Sequence, residues 1–195
     1  MEIFYFPHFQ TSSSLAHIAL YTKVTNAATL RKRIINAATA QGPLGDGERE
    51  AVNFSFINAR LITSRLHLQT AINQAILAQS QNSLRTRTVH SEILWALNST
   101  NNISEAIRRY GISEASTDLI VVRISGPEAS TTAIRESISR VVIGVETTLT
   151  MLSQLTDWAS VRKYHKLDTE PMIFNDTEVA NNIVVSTVAM KSVIA

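Results

Sequence analysis

The 195-residue sequence predicts one α/β or α+β domain over residues 1–195, with a mixed or antiparallel sheet packed by helices plus a helical layer. Three observations predict it. Apolar runs of strand length, "LAHIALY" at 15–21 and "DLIVVRI" at 118–124, are interspersed with segments of helical period. No repeat or long linker divides the chain. A hydrophobic fraction of 45% against 17% charged residues supplies a core and argues against disorder.

"LAHIALY" reads as a buried strand. Asn26 then offers an N-cap for a helix over "AATLRKRIINAATA", with Leu30, Ile34, Ala37 and Ala38 on one face. "QGPLGDGERE" reads as a loop, because three glycines and a proline among charges leave little to bury. It lacks the Lys and Ser/Thr of a phosphate loop. "FSFINARLI" is extended. From Ser64, "RLHLQTAINQAILAQSQN" is a helix with Leu68, Ile72, Ala75, Ile76 and Gln79 along one stripe. "SEILWAL" fits a short helix capped by Ser91 or a buried strand, and we favour the helix. Ile103, Ala106, Ile107 and Tyr110 share one helical face. Asn102 caps that helix, Glu105 takes the capping-box position and pairs with Arg109, Gly111 provides a left-handed exit, and Ile112 folds back on Ile107. After the 118–124 strand come a turn at "GPEAS", a helix over "TTAIRESISRVV", and a strand within "VIGVETTLTML". A helix then begins at the Thr/Asp cap of "TDWASVRKYHKL". The last helix starts at Asn175 or Asp176, and Ile183, Val184, Val188 and Met190 make it apolar around most of its circumference.

Several function classes lack their residues. With no cysteine, disulfides and thiolate chemistry are excluded. The five histidines stand at no metal-ligand spacing, and neither a nucleophile elbow nor a dinucleotide fingerprint occurs. We therefore expect no catalytic residue, no metal and no cofactor, although Glu92 and Glu105 could meet in space. The apolar start "MEIFYFPHFQ" is broken by Glu2 and Pro7 and makes a poor signal peptide, and no window suits a membrane span. A net charge of +2 makes any nucleic-acid contact a matter of local clusters.

The stretch "RTRTVHSEILWALNSTNNISEAIRRYG" holds the candidate binding residues. Arg85 and Arg87, one residue apart, share a face of an extended segment. Two adjacent guanidiniums call for an anion, either a ligand phosphate or a carboxylate of the chain such as Glu92. Asn98, Asn101 and Asn102 suit a turn and cap, or a seat for phosphate and base edges. Arg162, Lys163, His165 and Lys166 read as a solvated helix end.

These residues resemble the PRPK-binding protein family, the CGI-type small, non-catalytic subunit of the KEOPS (EKC) complex. The resemblance rests on Arg85–Thr88, Ser91–Leu94, Asn101–Ala106 and Tyr110–Ile112 in order over about thirty residues. Weaker likeness extends through "TNAATLRKR", "FINARLI" and "VRKYHKL", where Asn58 and Ala59 stand in place of the family's Asp and Pro and one histidine is inserted. The resemblance implies a partner, the small atypical kinase subunit, and through it the ATPase-like subunit that transfers threonylcarbamoyl to an adenosine beside the tRNA anticodon. It also implies recruitment of tRNA by its 3′ CCA end, and residence in nucleus and cytoplasm. On that basis Arg85, Arg87, Asn101 and Asn102 form one shallow tRNA-end site with Arg108 or Arg109 at its rim. Ile183, Val184 and Val188 of the last helix receive the kinase. The other readings are an α/β interaction module that never touches RNA, and a small enzyme whose site assembles from distant residues.

Overall fold

The computed structural model describes residues 1–168 and 176–194. Five antiparallel strands form its sheet: β1 (Glu2–Tyr5), β2 (Leu15–Thr22), β3 (Ser55–Asn58), β4 (Leu119–Ser125) and β5 (Val145–Thr147). The order is β1-β2-β4-β3, with β5 also on β2. β4 pairs with β2 along residues 15–21, so β1 and β5 share the other edge of β2, one after the other.

Both faces of the sheet are covered, which is why β2 and β4 are apolar without alternation. Ala16, Ile18, Leu20, Ile120 and Val122 point to the larger core; Ala19, Tyr21, Leu119 and Val121 point to the smaller. The larger core is roofed by α3 (Arg65–Ser80), α4 (Val89–Leu97), α8 (Trp158–His165) and α9 (Thr177–Ala189). The smaller lies under α1 (Ala27–Thr39) and α6 (Thr131–Val141). The remaining helices are α2 (Gly42–Ala51), α5 (Ile103–Tyr110), α7 (Leu152–Leu155) and α10 (Lys191–Ile194). The expected α+β class and antiparallel sheet are both present.

The glycine-rich stretch is the main correction, because α2 occupies it. Gly42 takes a φ of +74° to reverse the chain after α1, and Pro43 presets the first turn. Arg49 donates to the carbonyls of Ala37 and Ala40 at 3.2 and 2.6 Å, placing a cation on the C-terminus of α1. Arg33 grips Glu48 through two nitrogens at 2.8 and 3.2 Å. These contacts with α1 supply what glycine-poor helices get from propensity.

Three local expectations also change. Asn26 gives its side chain to Val141 and Ile143, tying α1 to the end of α6, and does not cap α1. Thr88 caps α4, three residues earlier than expected, with Ser91 at the reciprocal position of the capping box. Gly111 leaves α5 in extended conformation (φ −75°, ψ 172°) and bridges to Ile57 of β3. A Cβ there would strike the Ile107 carbonyl oxygen. Ile112 then joins the smaller core and does not return to Ile107, which stays exposed. Asp157 and Asp176 cap α8 and α9 as the sequence suggests, and Asn175 lies outside the described residues.

Buried histidines act as neutral connectors. Nε2 of His90, on α4, accepts the Ile124 N–H at 3.0 Å, a strand donor beyond the end of β3. Its protonated Nδ1 therefore donates to Asn53 Oδ1 at 2.8 Å. His67 Nδ1 accepts the Thr63 N–H at 3.2 Å, and His165 Nε2 meets the Tyr110 hydroxyl at 2.9 Å. Burial pushes His67 and His90 down to about 3, and His165 to about 4. Their folded pKa values lie below the unfolded value of about 6.5, so the unfolded chain alone takes up protons as pH falls. The histidine contribution is complete above that value and is lost on acidification toward 4. We predict a loss of roughly 2 kcal/mol per histidine between pH 7.5 and 5. Thermal melts across that range check it; an unchanged melting temperature contradicts the neutral-connector assignment.

Candidate functional site

The segment between α3 and α4 is organised by one buried carboxylate. Glu92, 1% exposed, accepts the backbone N–H of Arg85 at 3.1 Å and of Thr86 at 2.8 Å, and the Thr86 hydroxyl at 2.6 Å. Residues 85–88 are a series of bends, not a strand. The carboxylate thus holds main chain, and the Arg87–Glu92 bridge does not form. The guanidiniums of Arg85 and Arg87 stand exposed and without an ion-pair partner among the described residues. Arg108 is exposed likewise.

At the other end of α4, "NSTNN" is wound around two more side chains. Asn98 is buried; its Nδ2 donates to Thr100 Oγ1 at 2.9 Å and its Oδ1 accepts from Arg109 at 3.3 Å. Arg109 also pairs with Glu105 at 2.7 Å and lies 4.4 Å from the Tyr164 ring centroid. It is therefore a structural strut, which corrects its expected place at a rim. The Thr100 hydroxyl, then the Arg109 charge, hold the Glu105 carboxyl below the usual range. Asn101 and Asn102 remain exposed on the outside of the loop, and Asn102 Oδ1 caps α5 by accepting the Glu105 N–H at 3.0 Å. Glu92 and Glu105 are engaged separately and form no acid–base pair.

The arginines and the asparagines do not meet in one shallow site. They flank α4, whose nine residues separate the two groups by about 13 Å along its axis. A cavity of about 540 Å³ reaches from one group toward the other, lined by Gln74, Leu77, Arg85, Glu92, Trp95 and Ser192 among others. Sequence reading missed Trp95 and Lys191. The Lys191 ammonium lies 4.5 Å from the Trp95 ring centroid and donates to the carbonyls of Asn98 and Thr100 at 2.8 and 2.6 Å. A single lysine in an apolar C-terminus was the available signal.

The two C-terminal helices, α9 and α10, together present two sides. Ala180, Val184, Val188 and Lys191 face inward, so the expected surface at Val184 and Val188 is inside the chain's own core. Ile183 packs at its margin. Val179, Met190 and Val193 are exposed on the opposite side, at helical spacing with Ile183. His165, expected among solvated cations at the end of α8, is half-buried and turned to the Tyr110 hydroxyl. Among the described residues, no helix is long and apolar enough to cross a membrane, and no cluster of three His, Asp or Glu could hold a metal.

Residues 21–192 match the family model described as kinase binding protein CGI-121. The chain belongs to the CGI-121 family. A relative in Cryptococcus neoformans is 34% identical, with all of both chains covered. One in Coccidioides immitis is 35% identical over 77% of this chain and 69% of its own length. One in Aspergillus fumigatus is 30% identical over 87% of this chain and 85% of its own. All three carry the name EKC/KEOPS complex subunit CGI121. The family resemblance seen in residues 85–112 is thus borne out, and CGI-121 membership extends across the sheet and both helical layers.

Proposed function

We propose that this chain is a non-catalytic KEOPS subunit that holds two macromolecules: the small atypical kinase subunit, and tRNA presented by its unpaired 3′ CCA end for threonylcarbamoyladenosine modification beside the anticodon. The names of its relatives and the kinase-binding description of its family support the assembly role. Contact with the ATPase-like transferase is then indirect, through the kinase, in nucleus and cytoplasm.

One observation carries the RNA half. Arg85 and Arg87 have lost their candidate internal partner, because Glu92 binds backbone. Arginine contacts to phosphate give affinity without sequence information. The cavity beside Arg85 offers Trp95 and aliphatic walls to an unpaired base, with glutamine and serine groups at hand. Asn101 and Asn102 beyond the far end of α4, and then Arg108 on α5, receive the next part of the strand. A tRNA lacking CCA should bind the purified chain about tenfold or more weakly than intact tRNA in a gel-shift titration. Equal affinities remove the end-recognition claim.

The kinase half is assigned to the outer stripe of the last helix, Val179, Ile183, Met190 and Val193, in place of Val184 and Val188. Met190 is 49% and Val193 76% exposed, and apolar side chains so placed on one helix face suit a hydrophobic partner surface. The double variant Val179→Glu with Met190→Glu is expected to keep its melting temperature and to lose capture by the purified kinase subunit. Undiminished capture moves the kinase elsewhere on the molecule.

A further inference from the structure

Lys191 is an unusual residue to find 4% exposed. No carboxylate pairs with it among the described residues; its partners are two carbonyls and an indole face. Burial pushes the ammonium down to about 8. That value lies below the unfolded lysine's 10.4 or so, so at neutral pH the fold holds this charge at a cost. Methionine, close in size, would fill the same space without that cost. The charge therefore does something that core packing does not require.

What it does is visible in the loop. The carbonyls of Asn98 and Thr100 both turn inward to the ammonium. With these two carbonyls committed, Asn101 and Asn102 are left on the outer side, where both are exposed. Lys191 also flanks the cavity, through Trp95 and its neighbour Ser192. Lys191 opens α10, which carries the exposed Val193 and follows directly on the exposed Met190.

We infer that Lys191 is a positioning residue for RNA: from the C-terminal helix it fixes the 98–102 loop so that Asn101 and Asn102 face the strand lying along α4. The inference rests on the RNA reading given above. It also means that a partner seated on the last helix bears on the RNA loop through this one side chain.

The test compares the full-length chain with Lys191→Met and Lys191→Arg. Three readouts are taken: the affinity for intact tRNA, the melting temperature, and amide hydrogen exchange at Ser99–Asn102. Lys191→Met should lower tRNA affinity by about tenfold, the loss of one charge-assisted contact, while the melting temperature holds or rises. Exchange at Ser99–Asn102 should quicken. Lys191→Arg keeps the donors and should recover at least part of the affinity. Wild-type affinity and wild-type exchange in Lys191→Met overturn the inference while leaving the RNA reading intact. A melting temperature that falls with the affinity, and no recovery in Lys191→Arg, also overturns it and makes the lysine an ordinary packing residue. A wild-type chain that binds no tRNA overturns the RNA reading itself, and this inference with it.

Discussion

A carboxylate that is 1% exposed must have its lone pairs satisfied, and Glu92 satisfies them with backbone N–H groups and a hydroxyl. Much of the proposed RNA surface depends on that choice. Had Glu92 taken the Arg87 guanidinium, the two arginines would have been an internal strut like Arg109. Instead the carboxylate bends residues 85–86 around the start of α4 and leaves the Arg85 and Arg87 side chains to solvent. Because Glu92 is in the first turn of α4, its charge is also favoured by the helix N-terminus. The same position thus serves the helix and the segment before it.

The far end of α4 is built on a different device. There a buried cation replaces the buried anion: Lys191 gathers carbonyls as Glu92 gathers N–H groups. Trp95 stands between the two, lining the cavity that Arg85 borders and carrying the ammonium over its ring. Burial holds His67 and His90 neutral inside the core.

Much of this was legible in the sequence. β2 and β4 stand out because both faces of the sheet are covered, and α3, α5 and α8 because each has a capping side chain before a periodic apolar face. The stretch around α4 identified the family from its order of residues alone. What could not be read depends on contacts distant in sequence. Glycines at 42, 45 and 47 argue locally for a loop, and only ion pairs from α1 and β4 make α2 a helix. Which carboxylate takes which donor at Glu92 is decided by burial. The apolar circumference of the last helix gave no hint that Val184 faces in and Val193 out, and Lys191 needed the loop it binds to be seen as anything but a lone surface charge. The separation of the arginines from the asparagines follows directly once α4 is a helix, since nine helical residues hold the flanking groups apart.

The proposed RNA contact requires that the two guanidiniums released by Glu92 bind phosphate. The most direct measurement is the salt dependence of tRNA affinity for the wild-type chain and for the Arg85→Ala, Arg87→Ala double variant. Each phosphate contact to a single strand contributes about 0.7 to the slope of log affinity against log salt. The double variant should therefore bind more weakly with a slope shallower by about 1.4. Parallel lines for the two proteins, whatever their separation, would show that these arginines do not touch the RNA backbone.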